Sequence, residues 1–352
     1  MRVLRPHGGG PPGVIDFSIP MNPLEKPRWV SEVLRECASV DRASRYVEPG
    51  LDPLREAVER LSGLRGWAVV PLNGSAEALA LVPLVYRAPA VAVVEPSFGD
   101  HHIQSRVWRS RLVRICSWQG GSLRLPGQPP HGAIVVVGWP NNPTGQVLGQ
   151  GDMRIVEEAA ADGGLLVVDE AFQPLSKLDH YTSRIAPQLT LWTPTKALGL
   201  PGLRLGAAAS REWEVVEPLE LARQPWPVDS VTHCFYTRLA ESYLGDALKF
   251  IAEGRRVGLS WVEEASKMLA QAGLEVYRSL SVFMLVRHRG LRHPALNKAL
   301  ASIGGVYVRD ASTFHCLGPE YSRVAARSPA ETSRLVEAFR RLGAVEWGLE
   351  TS

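Results

Sequence analysis

Three short signatures recur at equal intervals in this chain. Asn-Pro-Thr-Gly begins at Asn142, Asp-Glu-Ala-Phe at Asp169 and Lys-Ala-Leu-Gly at Lys196, so Asn142, Asp169 and Lys196 stand 27 residues apart each time. Each follows an apolar run, Ala133–Val137, Leu165–Val168 and Leu189–Trp192. Parallel strands need a crossover of a dozen or more residues, usually a helix. One strand and its crossover fill such an interval. The spacing therefore predicts three strand ends on one edge of a parallel sheet, where open sheets of this kind bind ligands.

The rest of the first 224 residues follows the same rhythm. Val69–Leu72 leads through Asn-Gly into a helix opening at about Ser75. Val91–Val94, Leu112–Cys116 and Leu205–Ala209 are further short apolar runs. They are continuously apolar rather than alternating, as expected of strands covered on both faces. Pro27 to Val40 has helical periodicity, and Asp52 with Pro53 behind it reads as the N-cap of a helix running to about Leu61. After Arg223-Gln-Pro-Trp-Pro-Val228 the texture changes. A long helical region covers Ser230–Ala272. Strands at Leu274–Tyr277, Val282–Val286 and Gly305–Val308 follow, with helices at Ala295–Ile303 and Pro329–Leu342. The predicted fold class is α/β: a large domain with a mainly parallel sheet covered by helices on both faces, and a smaller α+β C-terminal domain. Residues 1–40 form an arm or lid with a first helix, packing with the small domain; 41–224 form the large domain and 225–352 the small one.

Composition excludes several function classes. The net charge is +3, with 39 basic and 36 acidic residues scattered and no Lys/Arg run, so no nucleic-acid footprint is indicated. The most apolar region, Ala78–Val94, is interrupted by Pro83, Arg87 and Pro89 and reads as helix then strand rather than a membrane span. The first residues carry no apolar run of a signal peptide. Cys37, Cys116, Cys234 and Cys316 lie far apart with no CxxC pair. They read as free thiols in a reducing compartment, with no metal site. A cytoplasmic protein is expected.

Lys196 is one of six lysines in a chain with 33 arginines. It sits in a neutral, Gly/Pro-punctuated turn between the hydroxyls of Thr193 and Thr195 and the guanidinium of Arg204. A partly desolvated amine has a lowered pKa and suits imine formation with an aldehyde. Gly74-Ser75-Ala76 opens a helix whose first amides can bind an anion, and Arg204 offers a bidentate fork. An imine-forming lysine beside a phosphate cradle suggests a phosphorylated aldehyde, pyridoxal phosphate. Taken singly, Asn142 is a good turn residue, Asp169 a possible helix cap and Lys196 a possible surface lysine; the common spacing raises all three.

The order Asn-Gly-Ser, Asn-Asn-Pro-Thr-Gly, Asp-Glu-Ala-Phe, Thr-Pro-Thr-Lys and Pro-Gly-Leu-Arg-Leu-Gly resembles the class I/II, fold type I, pyridoxal-phosphate aminotransferase superfamily over nearly the whole chain. The resemblance implies that Lys196 carries the cofactor covalently, Asp169 pairs with its ring nitrogen and Asn142 bonds its phenolic oxygen. It implies that Gly74, Ser75, Ala76, Thr193, Thr195 and Arg204 hold the phosphate. It also implies that Tyr46 reaches a neighbouring subunit's cofactor phosphate, hence a homodimer with shared sites, and that Arg323 clamps a substrate carboxylate.

A narrower resemblance lies in His7-Gly-Gly, Asp16-Phe-Ser…Asn-Pro23, Gln-Pro-Trp-Pro-Val228 and Arg309-Asp-Ala-Ser-Thr-Phe-His-Cys-Leu-Gly318. These are similar to threonine-phosphate decarboxylase of cobalamin biosynthesis, close kin to histidinol-phosphate aminotransferase. They imply a small phosphorylated amino-acid substrate, with His7 and Arg309 beside it and Arg327 as a further arginine or a plain surface one. Three positions depart from the pattern: Pro20 replaces an asparagine, His101 stands where a tyrosine stacks on the cofactor ring, and Val282 replaces the asparagine of an Asn-Phe pair. The expected activity is decarboxylation of L-threonine O-3-phosphate. The alternatives are an aminotransferase using 2-oxoglutarate on histidinol phosphate or a related amino acid, and a non-catalytic binding protein of the same fold.

Overall fold

The computed structural model describes residues 7–99 and 110–349, the side chains of 344–349 excepted. Its organising element is a seven-stranded sheet: Ala68–Leu72 (β1), Val91–Glu95 (β2), Leu112–Cys116 (β3), Ile134–Gly138 (β4), Leu165–Asp169 (β5), Gln188–Trp192 (β6) and Gly206–Ser210 (β7). The spatial order is β3-β2-β4-β5-β6-β7-β1. β2 to β6 pair in parallel, and β7 runs antiparallel to both β6 and β1. β1 therefore points the same way as the parallel strands, and the carboxyl ends of all but β7 meet at one edge. The chain order reverses between β2 and β4, which opens the crevice that such sheets use for ligands.

Valine and isoleucine fill these strands because branched side chains pack well on a pleated surface. Val91, Val93, Ile134, Val136, Leu165 and Val167 form one apolar face with Leu79 and Val82 of the Ser75–Val85 helix and Val216 and Leu219 of the Trp213–Ala222 helix. Ala92, Val94, Val135, Val137, Leu166 and Val168 form the other, against Met153 and Val156 of the Gln150–Ala161 helix. The two-sided coverage read from the continuous apolar runs is what the sheet has.

A second, antiparallel sheet has the order β8-β9-β11-β10, from Glu275–Val276 (β8), Phe283–Arg287 (β9), Arg309–Asp310 (β10) and Tyr321–Ala325 (β11). The expected strand at 305–308 goes elsewhere. Val306–Tyr307 pairs in parallel with Ile15–Asp16 of the N-terminal segment, a long-range pairing with no local signal. From there the arm stays anchored: Ala325 N–H donates to Phe17 O at 2.8 Å, and Arg327 donates twice to Asp16 O, at 2.9 and 2.6 Å. Arg327 is thus spent on the arm's backbone.

Three local expectations shift. The Asp52–Ser62 helix has Asp52 as its first residue, with Leu51 as the cap in a left-handed conformation, φ 58°. The helical region 230–272 breaks at Tyr243 into Ser230–Ser242, capped by the Asp229 carboxylate, and Leu244–Gln271. The last helix reaches Leu349 rather than Leu342.

The cysteines are corrected. Cys37 bonds Cys234 and Cys116 bonds Cys316, with Cα–Cα distances of 5.7 and 5.8 Å. The partners are 197 and 200 residues apart in sequence, so only the folded topology brings them together. Among the described residues, no helix is long and apolar enough to cross a membrane.

Candidate active site

A cavity of about 560 Å³ opens at the sheet edge where the parallel strands end. Lys196 and Asp169 line it, as do Ser75 and Ala76 from the turn after β1 and Asn142 from the turn after β4. The equal spacing read in the sequence therefore does bring Asn142, Asp169 and Lys196 to one hollow. Thr193, Thr195, Arg204 and Gly74 border it from the same sheet, while Arg309, Arg323 and His7 border it from the second sheet and the arm.

The turn after β1 is built for close approach. Gly74 has φ 73°, in the left-handed region that favours glycine. The Ser75–Val85 helix that it opens has no side-chain cap, so its first amides remain available to an anion. Gly206 at the start of β7 lets the two backbones touch: a Cβ there would lie 2.0 Å from Ser75 N. Thr193 donates its hydroxyl to Leu205 O at 2.6 Å, so the 3.0 Å contact between the two threonine hydroxyls has Thr195 donating to Thr193.

The Lys196 turn is held from outside the sheet. Asn22 N–H donates to Lys196 O at 2.9 Å. The Asn22 side chain donates to Ala197 O at 2.8 Å and to Phe250 O at 3.2 Å. This asparagine of the arm's Asn-Pro pair thereby joins the Lys196 turn to the Leu244–Gln271 helix. Burial, then the positive charges of Arg323 and Arg204, lower the Lys196 amine to about 8. Burial, reinforced by Glu170 and opposed by the Ala171 amide, raises Asp169 to about 6. Both groups are thus shifted toward neutrality by desolvation first.

Arg323 and Arg309 sit directly opposite each other across the β10–β11 ladder. Arg323 donates to the Asn142 side-chain oxygen and, at 2.6 Å, to Ser18 O, which leaves its buried Nε without a partner. Burial and the neighbouring Arg309 oppose its charge, yet a guanidinium keeps its proton at neutral pH. Arg309 donates to Thr313 Oγ1 at 2.8 Å and lies over the Phe314 ring, 5.2 Å from its centre. His7 stacks on Phe98 with ring centres 5.6 Å apart, so the start of the arm reaches the cavity rather than trailing in solvent.

Two expected site residues are not on the described wall of this cavity. His101 lies outside the described residues. Tyr46 is off the cavity wall, 82% exposed, with its ring stacked on Trp226 at 4.4 Å. It borders a neighbouring hollow that shares Arg204 with the cavity. Sequence reasoning missed Ser18, Phe98, Thr313 and Phe314 on the wall. Ser18, Thr313 and Phe314 lay inside quoted motifs, but their inward direction depends on the arm and the second sheet.

The sequence model described as "Aminotransferase class I and II" matches residues 12–339. The chain is 30% identical over 345 residues to a histidinol-phosphate aminotransferase of Symbiobacterium thermophilum, covering 91% of this chain and 88% of that one. It is 23% identical over 349 residues to the adenosylcobalamin biosynthesis bifunctional protein CobDQ of Leptospira interrogans, covering 95% of this chain but only 39% of that longer protein. The fold resembles the crystal structure of L-threonine-O-3-phosphate decarboxylase from Porphyromonas gingivalis with a TM-score of 0.78 at 18% identity, over 94% of this chain and 100% of that one.

Proposed function

The chain belongs to the class I and II aminotransferase family, whose enzymes use pyridoxal 5'-phosphate, and from that premise we propose that it decarboxylates L-threonine O-3-phosphate to aminopropanol phosphate. Membership makes it a cofactor-dependent enzyme, which sets aside the non-catalytic reading. The residues present suit the group. The uncapped helix start, the Gly206 approach and Arg204 form an anion cradle. Lys196 supplies an amine of lowered pKa and Asp169 a carboxylate on the same wall. When bound, the cofactor supplies an electron sink for the bond broken at the substrate's Cα.

In this reading Lys196 Nζ would hold the cofactor at its aldehyde carbon and, when free, would deliver a proton to the substrate's Cα. The Asp169 carboxylate would accept the ring N–H and keep that nitrogen protonated. Ser75 and Ala76 amides and Arg204 bind the cofactor phosphate, and the Thr195 hydroxyl joins them by turning its hydrogen from Thr193 Oγ1 to the phosphate. Thr193 orients Thr195, because its own hydroxyl is committed to Leu205 O. Asn142 bonds the phenolic oxygen while Arg323 holds its amide in place. Tyr46, exposed beside Arg204's second hollow, reaches the cofactor phosphate of a second subunit in a homodimer.

The observation that carries the substrate assignment is the Arg309–Arg323 pair. These are two cations on the second-sheet side of the cavity, in addition to Arg204 on the large-sheet side. They match an amino acid that bears both a carboxylate and a phosphate. Arg323 Nε, buried and unpartnered, is a donor awaiting an anion. His7 closes the same side from the arm. The second reading, an aminotransferase acting on histidinol phosphate with 2-oxoglutarate, is favoured by the 30% identical relative.

Incubation of the holoenzyme with L-threonine O-3-phosphate separates the two. Decarboxylation releases CO2 with no keto acid present. Turnover that requires 2-oxoglutarate and yields glutamate would reject the decarboxylase in favour of the aminotransferase.

A further inference from the structure

Directly after Asp169 stands a second carboxylate that faces away from the cavity. Glu170 is 0% exposed. Its Oε2 meets His180 Nδ1, and its Oε1 accepts the Tyr181 N–H at 2.7 Å. The other ring nitrogen, His180 Nε2, lies 2.9 Å from the Ser62 carbonyl at the end of the Asp52–Ser62 helix. A carbonyl only accepts, so Nε2 carries hydrogen. Nδ1 faces a carboxylate, so one further proton sits between Nδ1 and Oε2. The pair as a unit therefore holds that proton and carries no net charge, with the imidazolium–carboxylate form favoured by both acceptors.

Among the described residues, the carboxylates around the pair are Asp169 on β5, Asp179 in the segment before His180 and, through Tyr181, Glu157 on the Gln150–Ala161 helix, which accepts the Tyr181 hydroxyl at 2.7 Å. All three are acidic. Asp179 strengthens the protonation of His180, and Glu170 itself opposes the ionisation of Asp169. The same segment is pinned to the site by Trp139, whose indole donates to Asp179 O at 3.0 Å and whose backbone N–H donates to Asp169 O at 2.8 Å.

We propose that the Glu170–His180 pair is a positioning element for Asp169: it locks the turn after β5 to the Ser62 helix end, and its shared proton cancels the charge that Glu170 would otherwise set beside Asp169. The proposal rests on the role given above to Asp169, which must stay ionised to hold the cofactor's ring nitrogen. Without His180, two carboxylates adjacent in sequence titrate as a coupled set, and the first proton binds at higher pH.

The test compares wild type, His180→Gln, the Glu170→Gln/His180→Gln double variant and Asp169→Asn. The dissociation constant of pyridoxal 5'-phosphate is measured by equilibrium dialysis from pH 5 to 8.5, and the apoprotein Tm over the same range. Retention weakens as pH falls through the Asp169 midpoint. In His180→Gln that midpoint is expected to rise by about one pH unit, with a steeper, two-proton limb. In the double variant it returns to the wild-type value, although the Tm of both variants is lowered. A purely structural pair lowers both Tm values and leaves every midpoint in place; that result, or an equal shift in the single and double variants, overturns the proposal. Should His180→Gln not fold, His180→Asn takes its place with the same expected rise, and an unmoved midpoint in that variant refutes the proposal. Asp169→Asn is expected to abolish the acid limb. If it binds with an unchanged limb, the role assigned to Asp169 fails first, and the proposal with it.

Discussion

The Arg323 guanidinium donates to the side-chain oxygen of Asn142, a residue 181 positions away on the other sheet. One hydrogen bond thus joins the second sheet to the turn after β4 inside the cavity, and Arg323 also holds the arm through Ser18 O. The three segments that shape the substrate side converge on one buried cation.

Arg323→Lys is expected to weaken substrate binding more than it slows turnover. Lysine keeps the charge but cannot bridge Asn142, Ser18 and an anion through one planar fork. A loss of roughly 1.5–3 kcal/mol, or about 10- to 150-fold in kcat/KM and mainly in KM, follows from a charged hydrogen bond of this kind. Steady-state kinetics with the substrate proposed above check it; an unchanged KM would place the substrate's anion elsewhere.

Asp169→Asn is expected to stabilise the apoprotein while weakening cofactor retention. The Asp169 pKa is raised from 3.8 to about 6 in the fold. The native state therefore binds more protons than the unfolded state between those values, and stability falls as pH rises through that window. Above pH 6 the ionised carboxylate costs on the order of 1–3 kcal/mol. The variant's apo Tm should exceed that of wild type at pH 7–8, and the difference should vanish below about pH 4. Thermal melts of both apoproteins across that range read it directly.

Gly206→Ala is expected to destabilise the chain and loosen the cofactor together. The new methyl would meet the backbone of Gly74 and Ser75, with Ser75 N at 2.0 Å, and neither strand nor helix start can yield cheaply. Overpacking of this kind costs about 1–3 kcal/mol. Denaturant melts and a cofactor titration should both move, whereas Gly202→Ala, which meets nothing within 4 Å, should move neither.

The two disulfides are expected to differ in access. Cys37 and Cys234 are 0% and 1% exposed, whereas Cys116 is exposed. A dithiol under native conditions should therefore open Cys116–Cys316 first, as peptide mapping after alkylation would show. Removing Cys37–Cys234, whose two residues are buried within one apolar core cluster, should lower stability by roughly 2–5 kcal/mol.

How much was legible follows from range. The strands of the large sheet were readable because a continuous apolar run is local, and their signatures because each lies within a few residues of a strand end. Asn142, Asp169 and Lys196 shared a cavity as their spacing implied, since parallel strands repeat direction at each crossover. The start of the Asp52–Ser62 helix moved by one residue because buried Leu51 took the cap position with its left-handed backbone.

What the sequence by itself determined is therefore the set of groups delivered to one edge of the sheet: an amine, a carboxylate, an uncapped helix start and an arginine, each placed by local pattern and crossover length. Only the tertiary structure decided what those groups touch. The Arg323–Asn142 bond, the Glu170–His180–Ser62 relay, the Tyr46–Trp226 stack, the arm's strand against Val306–Tyr307 and the disulfides all join positions that are distant in sequence or turn on side-chain direction. Such contacts carry no periodicity. They exist because burial leaves each polar group few partners, and which partner it meets is set by the packing of the sheets.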